Sequence, residues 1–219
     1  MTNVVSMSSE AGREIPEGMN PDARENWPSS DLISSWLGDA EIDFEFRPGE
    51  ASPVHADDPE AVAAARQFRD VLGRFASGVT VVTATSGGEP VGMTCQSFSS
   101  VSLDPPLVLF VPAKTSRAWP LIQRSGKFCV NFLGADQSEV SNIMASRGVD
   151  KFADVKWQPS EATGSPMLDG ILGHVDCTIH AVHEAGDHYV VIGRVLDLAM
   201  TDAEEPLLFF RGEYTTTDG

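Results

Sequence analysis

The apolar positions of this chain follow two different periods. From residue 59, in PEAVAAARQFRDVLGRF, Val62, Ala65, Phe68, Leu72 and Phe75 recur at spacings of three and four, which puts them on one face of a helix. From residue 78 the pattern changes. GVTVVTAT is rich in Val and Thr and predicts a strand. Gly87-Gly88 predicts a hairpin turn, and the return strand runs into GMTCQSFSSVSLDPPLVLFVP, residues 92–112. Pro105-Pro106 breaks that run, and LVLFV follows as a buried strand. Thr115-Ser116 offers an N-cap for a short helix over SRAWPLIQ, and Asp136 begins another that reaches about Met144. Between them KFCVNFL, residues 127–133, alternates as a strand. Residues 174–200 predict a long hairpin around Ala185-Gly186-Asp187, and PLLFFRGEY, residues 206–214, a last strand. Closely spaced strands with helices at the start and between them predict a β-barrel with peripheral helices.

Charge divides the chain before hydropathy does. Residues 1–60 carry 14 Asp/Glu against 3 Arg, and residues 61–219 carry 18 Asp/Glu against 12 Lys/Arg. The first segment is rich in Pro, Ser and Gly and lacks a periodic apolar pattern. It is expected to be an acidic, largely flexible extension, with residues 61–219 as the folded domain. One part stands out: in residues 27–46, Leu32, Ile33, Trp36 and Leu37 follow Ser29-Ser30 as on a short docking helix. Such a helix would dock on its own domain or on a partner. A net charge of −17 repels nucleic acid and anionic membranes, so neither is expected as a partner. No stretch approaches a transmembrane span or a secretory leader. Three widely spaced cysteines, Cys95, Cys129 and Cys177, fit a reduced cytoplasmic protein better than a disulfide framework.

Residues 92–104 hold no charged side chain before Asp104, yet they are rich in hydroxyls: Thr94, Ser97, Ser99 and Ser100, beside Cys95 and Gln96. Hydroxyls and backbone N–H groups bind phosphate and heteroaromatic edges without a formal charge. A Ser/Thr-rich edge strand is the plain alternative. About ten residues on, Lys114-Thr115-Ser116-Arg117 stands at a helix start, where orphan N–H groups and two cations suit an anion; the alternative there is a capped helix alone. If both segments lie at one rim, one can hold a planar ring and the other its phosphate.

Other chemistries are less well supported. There is no GxGxxG after a strand, no Walker A loop and no GxSxG elbow. His174, Asp176, Cys177, His180 and His183 suggest a metal set. Their β-branched context predicts a strand, on which His174, Asp176 and His180 share one face and Cys177 and His183 the other. Neighbours on one strand face are about 7 Å apart, too far to share one ion unaided. Half-exposed strand histidines are therefore expected, and no metal.

Seven motifs in order, FRDVLGRFASGVTVVTA, GMTCQSFSSVSLDPPLVLF, KTSRAW, KFCVNFL, DKFADVKW, GDHYVVIGRV and PLLFFRGEY, resemble the flavin reductase-like family, the reductase components of two-component flavin-dependent monooxygenases. The resemblance spans about residues 68–214. It implies a mainly β, split-barrel fold of the FMN-binding type and a homodimer. It implies FMN or FAD as the flavin, with NADH, or alternatively NADPH, as the hydride donor. The partner it implies is a separate oxygenase, acting on an aromatic or steroid-type substrate. By the same resemblance, Thr94, Cys95, Gln96 and Ser97 lie along the isoalloxazine ring, with Ser99 and Ser100 at its ribityl or phosphate end. Lys114, Ser116 and Arg117 hold the phosphate, Phe152 packs near the flavin, and His188 stands by the nicotinamide as the catalytic candidate. Arg211 contacts the nucleotide, and Tyr214 the flavin edge. Rival readings are a flavin-binding electron carrier and a pyridoxamine-phosphate-oxidase-like split barrel. The first 60 residues fall outside the resemblance.

Overall fold

The computed structural model describes residues 59–146 and 150–217. The expected docking helix in residues 27–46 and most of the acidic extension lie outside them. The first element is α1 (Pro59–Leu72), as the apolar spacing predicts. Its apolar side chains are not covered: Phe68, Val71 and Leu72 are exposed, and Phe75, just beyond, is 80% exposed.

Strands then dominate: β1 (Ser77–Gly78), β2 (Thr80–Ser86), β3 (Glu89–Cys95), β4 (Ser99–Leu103) and β5 (Pro106–Phe110). After α2 (Ala118–Ser125), β6 (Lys127–Phe132) and α3 (Ser138–Ala145) come the short pair β7 (Trp157–Pro159) and β8 (Pro166–Leu168). The long hairpin β9 (Gly173–Ala185) and β10 (His188–Met200) follows, then β11 (Leu208–Phe210) and β12 (Glu213–Thr215). The main sheet has seven antiparallel strands in the order β3-β2-β6-β9-β10-β5-β4. The mainly β class with peripheral helices is as expected. The ladder differs from a closed barrel, because β3 and β4 are its two edges and do not pair with each other.

Two cores form on opposite sides of the sheet. Val82 and Ala84 of β2 face one core, with Phe110, Trp119, Ile122, Phe128, Val130, Cys177 and Val191. Val81 faces the other, with Val79, Leu133, Met144, Leu168 and Leu207. A strand buried on both faces needs apolar or bonded side chains at successive positions, which is why TVVTA does not alternate. Its buried Thr83 hydroxyl reaches the Cys129 and Pro166 carbonyls. The first core is aromatic. Phe110 stacks edge-on with both Phe128, at 5.0 Å between centroids, and Trp119, at 5.8 Å.

Three sequence expectations change. Residues 206–214 form a hairpin rather than one strand. Arg211 (φ 54°) and Gly212 (φ 89°) turn the chain between β11 and β12, and the Arg211 N–H donates to Gly73 O at 2.8 Å. Strand β9 is not regular either: its pairing with β10 skips His180, so Ile179 and Val182, three apart, both pack on the first core. The face shared by His174, Asp176 and His180 is therefore interrupted. His174 is also buried, not half-exposed, with Nε2 3.7 Å from Asp197.

Buried polar groups fasten the β7–β8 pair. Asn131 Nδ2 donates to Val81 O at 3.1 Å and Pro166 O at 3.3 Å, while its Oδ1 accepts from the Leu168 N–H at 2.9 Å. The fully buried Asp176 accepts from the Thr163 N–H (2.9 Å) and the Thr163 hydroxyl (2.5 Å).

Gly193 marks the tightest packing of the hairpin. A Cβ there would stand 2.4 Å from Phe128 Cζ and 3.2 Å from Cys177 Cβ. Gly193→Ala is expected to destabilise the domain by about 1–3 kcal/mol, since overpacking forces buried atoms to shift. Urea unfolding checks it: the midpoint falls with little change in slope, whereas an unchanged midpoint would show that Phe128 moves freely.

Candidate functional site

Strand β3 presents alternate residues to two environments. Val91, Met93 and Cys95 pack on the aromatic core, and Gly92 and Thr94 face α3 and the segment after it. The sequence-predicted residues divide along this line.

The first group gathers where β3 ends. Ser97 Oγ accepts from the Val111 N–H at 2.8 Å and lies 3.3 Å from Val111 O, so the turn after β3 is tied to the end of β5. Cys95 Sγ is 3.1 Å from the same hydroxyl. Three residues past Val111 comes Lys114. Ser116 Oγ accepts from the Trp119 N–H at 3.2 Å and lies 3.7 Å from Met93 Sδ, although the N-cap position of α2 itself is Arg117, one residue later than the sequence suggests. Arg117 is exposed at the same helix start. The β9–β10 hairpin closes the group. Ala113 bridges His188, the Lys114 N–H donates to Asp187 O (2.9 Å), and the Tyr189 N–H donates to Pro112 O (2.9 Å). His188 Nδ1 is 2.7 Å from Asp187 Oδ1, and Lys114 Nζ is 3.0 Å from Glu184 Oε2. Burial, then the Glu184 carboxylate, raises the Tyr189 phenol above its ordinary pKa, and Lys114 opposes this. Thus Cys95, Gln96, Ser97, Lys114, Ser116, Arg117 and His188 belong to one connected rim.

Gln96 carries the sharpest sign of a ligand. Its Nε2 is buried without a hydrogen-bond partner among the described residues. Leaving a buried amide donor unpaired costs about 1–3 kcal/mol, which an acceptor on a bound molecule would offset. A planar heteroaromatic edge offers such acceptors. The cations at the start of α2 suit a phosphate on the same molecule. The residues present therefore fit a phosphorylated ring cofactor.

The second group lies across β3. Thr94 Oγ1 donates to Ser141 O at 2.5 Å, and Tyr214 OH lies 2.9 Å from Ser141 Oγ and 3.1 Å from Asn142 Oδ1. Thr94 and Tyr214 thus meet at the middle of α3. Phe152 packs on Gly92, where a Cβ would come within 3.2 Å of its Cζ, and it stands edge-on to Trp157 at 6.1 Å. Lys151, which the sequence reading missed, donates from Nζ to Gly92 O (3.2 Å) and Met144 O (2.8 Å) and so seats Phe152. Its signal was adjacency to Phe152 in DKFADV; a lysine read only by charge looks like surface. Asp187 was read only as a turn residue, and Glu184, at the end of β9, was not singled out by the sequence.

The remaining candidates stand elsewhere. Ser99 and Ser100 are exposed on the edge strand β4, opposite Leu109 and Val108. Arg211 is exposed in the β11–β12 turn against Gly73. Cys177 is pushed up to about 12 by burial and then by Asp176, and Cys129 higher still, first by burial. Both stay protonated near neutral pH, so neither serves as a thiolate.

The model of the flavin reductase like domain matches residues 72–218. The reductase subunit HsaB of a flavin-dependent monooxygenase from Rhodococcus jostii is 53% identical over 150 residues, covering 68% of this chain and 76% of that protein. An FMN reductase (NADH), SmoA, from Agrobacterium fabrum is 44% identical over 149 residues, covering 68% and 84%. Among solved structures, the Streptomyces globisporus NADH:FAD oxidoreductase SgcE6, in complex with NAD and FAD fragments, superposes with a TM-score of 0.66 at 39% identity, covering 72% of this chain and 93% of that one.

Lys151→Met is expected to leave two carbonyls unpaired and loosen Phe152. Unfolding free energy should fall by about 1–3 kcal/mol. Thermal unfolding and hydrogen exchange at the end of α3 check this; unchanged values would show that water replaces the ammonium without cost.

Proposed function

The chain belongs to the flavin reductase-like family, and on that premise we propose that it is an NADH-dependent flavin reductase that passes reduced FMN or FAD to a separate oxygenase component. The observation that carries the reading is the connected rim. Ser97 ties the polar turn to Val111, and Ala113 bridges His188, so a donor for a ring, cations for a phosphate and a histidine share one edge. The chemistry supplied when both cofactors are bound is hydride transfer from dihydronicotinamide to flavin.

The protein's own groups orient and hold. Gln96 donates to the ring edge, and Ser97 fixes the turn that carries Gln96. Lys114, Ser116 and Arg117 take the phosphate at the start of α2. His188, aligned by Asp187, orients the nicotinamide. Phe152 and Tyr214, set by Lys151 and α3, bound the far side of β3. None of these roles requires a strong acid or base, which accounts for the uncharged stretch before Asp104. Mostly neutral contacts give moderate affinity, suited to a flavin that arrives oxidised and leaves reduced.

The same proposal makes the protein a cytoplasmic homodimer serving an oxygenase of aromatic or steroid-type rings. The bare apolar side chains of α1 and those of Leu196, Leu198 and Met200 support a second copy as their cover. Three unpaired cysteines support a reducing compartment. Among the described residues no helix is long and apolar enough to cross a membrane. The family match begins at residue 72, so the acidic first 60 residues have no part in this proposal.

Purified full-length protein should oxidise NADH only when FMN or FAD is added. NADPH and riboflavin run in parallel measure donor choice and the phosphate's contribution. Equal NADH oxidation with and without flavin would sink the proposal, as would stoichiometric copurifying flavin with little turnover. Sedimentation should show a dimer that Phe68→Asp weakens; a monomeric wild type would remove the homodimer.

A further inference from the structure

The tip of the β9–β10 hairpin does more than present His188. Lys114 is attached to it twice. Its main-chain N–H donates to Asp187 O at 2.9 Å, which fixes its backbone. Its ammonium lies 3.0 Å from Glu184 Oε2 and 5.5 Å from the Tyr189 ring centroid. The two carboxylates of the tip have different company: Asp187 stands 2.7 Å from His188 Nδ1, so Glu184 is the one that meets the lysine. A lysine ammonium is a compact charge on a flexible stem. It can exchange one anion for another within reach while its backbone stays fixed.

We propose that Glu184 is a release residue, which draws the Lys114 ammonium to itself and competes with the flavin phosphate for it. The inference rests on reading Lys114 as a phosphate ligand. Each binding event then breaks the Lys114–Glu184 pair, and each departure restores it. The competition is mild by construction. The Lys114 side chain is 34% exposed and that of Glu184 75% exposed. Pairs this open are weak, so the competition lowers flavin affinity by only ~2- to 5-fold. That is a useful size for a reductase whose product must leave: the phosphate grip is moderated without being lost.

The test measures equilibrium binding of FMN and of riboflavin, which lacks the phosphate, to the full-length protein. Wild type, Glu184→Gln, Lys114→Met and the double variant are compared. Glu184→Gln should bind FMN ~2- to 5-fold tighter and release it correspondingly more slowly, with riboflavin unchanged. In the Lys114→Met background the same substitution should do nothing, because the ammonium being contested is gone. Three results overturn the proposal. If Lys114→Met leaves the FMN-to-riboflavin preference intact, the lysine does not hold the phosphate and the underlying reading fails. If Lys114→Met weakens FMN but Glu184→Gln changes nothing, the lysine reading stands and the release role fails. If Glu184→Gln tightens FMN equally with and without Lys114, the effect is general charge repulsion, not competition for the ammonium.

Discussion

Phe128 can lie over the β9–β10 hairpin only because residue 193 has no side chain. Much of the domain hangs on that contact. With its ring seated there, Phe128 meets Phe110 of β5 edge-on, and Phe110 in turn meets Trp119 of α2. Three consecutive elements, β5, α2 and β6, are thereby fixed to one another and to the hairpin, which lies some forty residues further along the chain. The end of β5 then comes level with the start of β10, and the main chain of residues 112–114 pairs with that of residues 187–189. The polar rim is a consequence of core packing. Its polar groups are held by backbone hydrogen bonds whose register the aromatic cluster sets.

Strand β3 shows how one short segment serves two structures. Its Val91, Met93 and Cys95 complete the aromatic core, and its Gly92 and Thr94 receive α3, Phe152 and the reach of Lys151. Gly92 is small because an aromatic ring rests on it, and Thr94 is polar because it donates to the Ser141 carbonyl in the middle of α3. The lack of charge in this stretch therefore has two causes. One face has no room for charge. The turn that follows, at Gln96 and Ser97, offers neutral donors and acceptors.

Periodicity made the elements legible. The spacing of Val62 to Leu72 marked α1, Gly87-Gly88 the first hairpin, and Ala185-Gly186-Asp187 the long one. It failed where the backbone departs from its period for tertiary reasons. The skipped position at His180 shifts the face of β9, and nothing in TIHAV announces it. Arg211 adopts a left-handed conformation that its residue type does not favour, so PLLFFRGEY read as a single strand. At the candidate site, motif order pointed to residues such as Ser97, Lys114 and His188 that the fold brings to one rim, and to others, such as Ser99, Ser100 and Arg211, that it places elsewhere. Lys151, Glu184 and Ser141 were not legible, because their roles depend on what folding sets beside them: two carbonyls, an ammonium and a phenol.

Among the described residues, the open ladder leaves β4 as an edge strand, five residues long and with Val101 and Leu103 exposed. An unpaired strand margin with apolar side chains is a template for another strand, and so a route to aggregation. Its pairing with β5 slips between Ser100 and Ser102, leaving Val101 as a bulge. That irregularity twists the margin and spoils the even row of N–H and C=O groups that a foreign strand would need. The residue that breaks the ladder thus makes the margin a poorer template for a second strand.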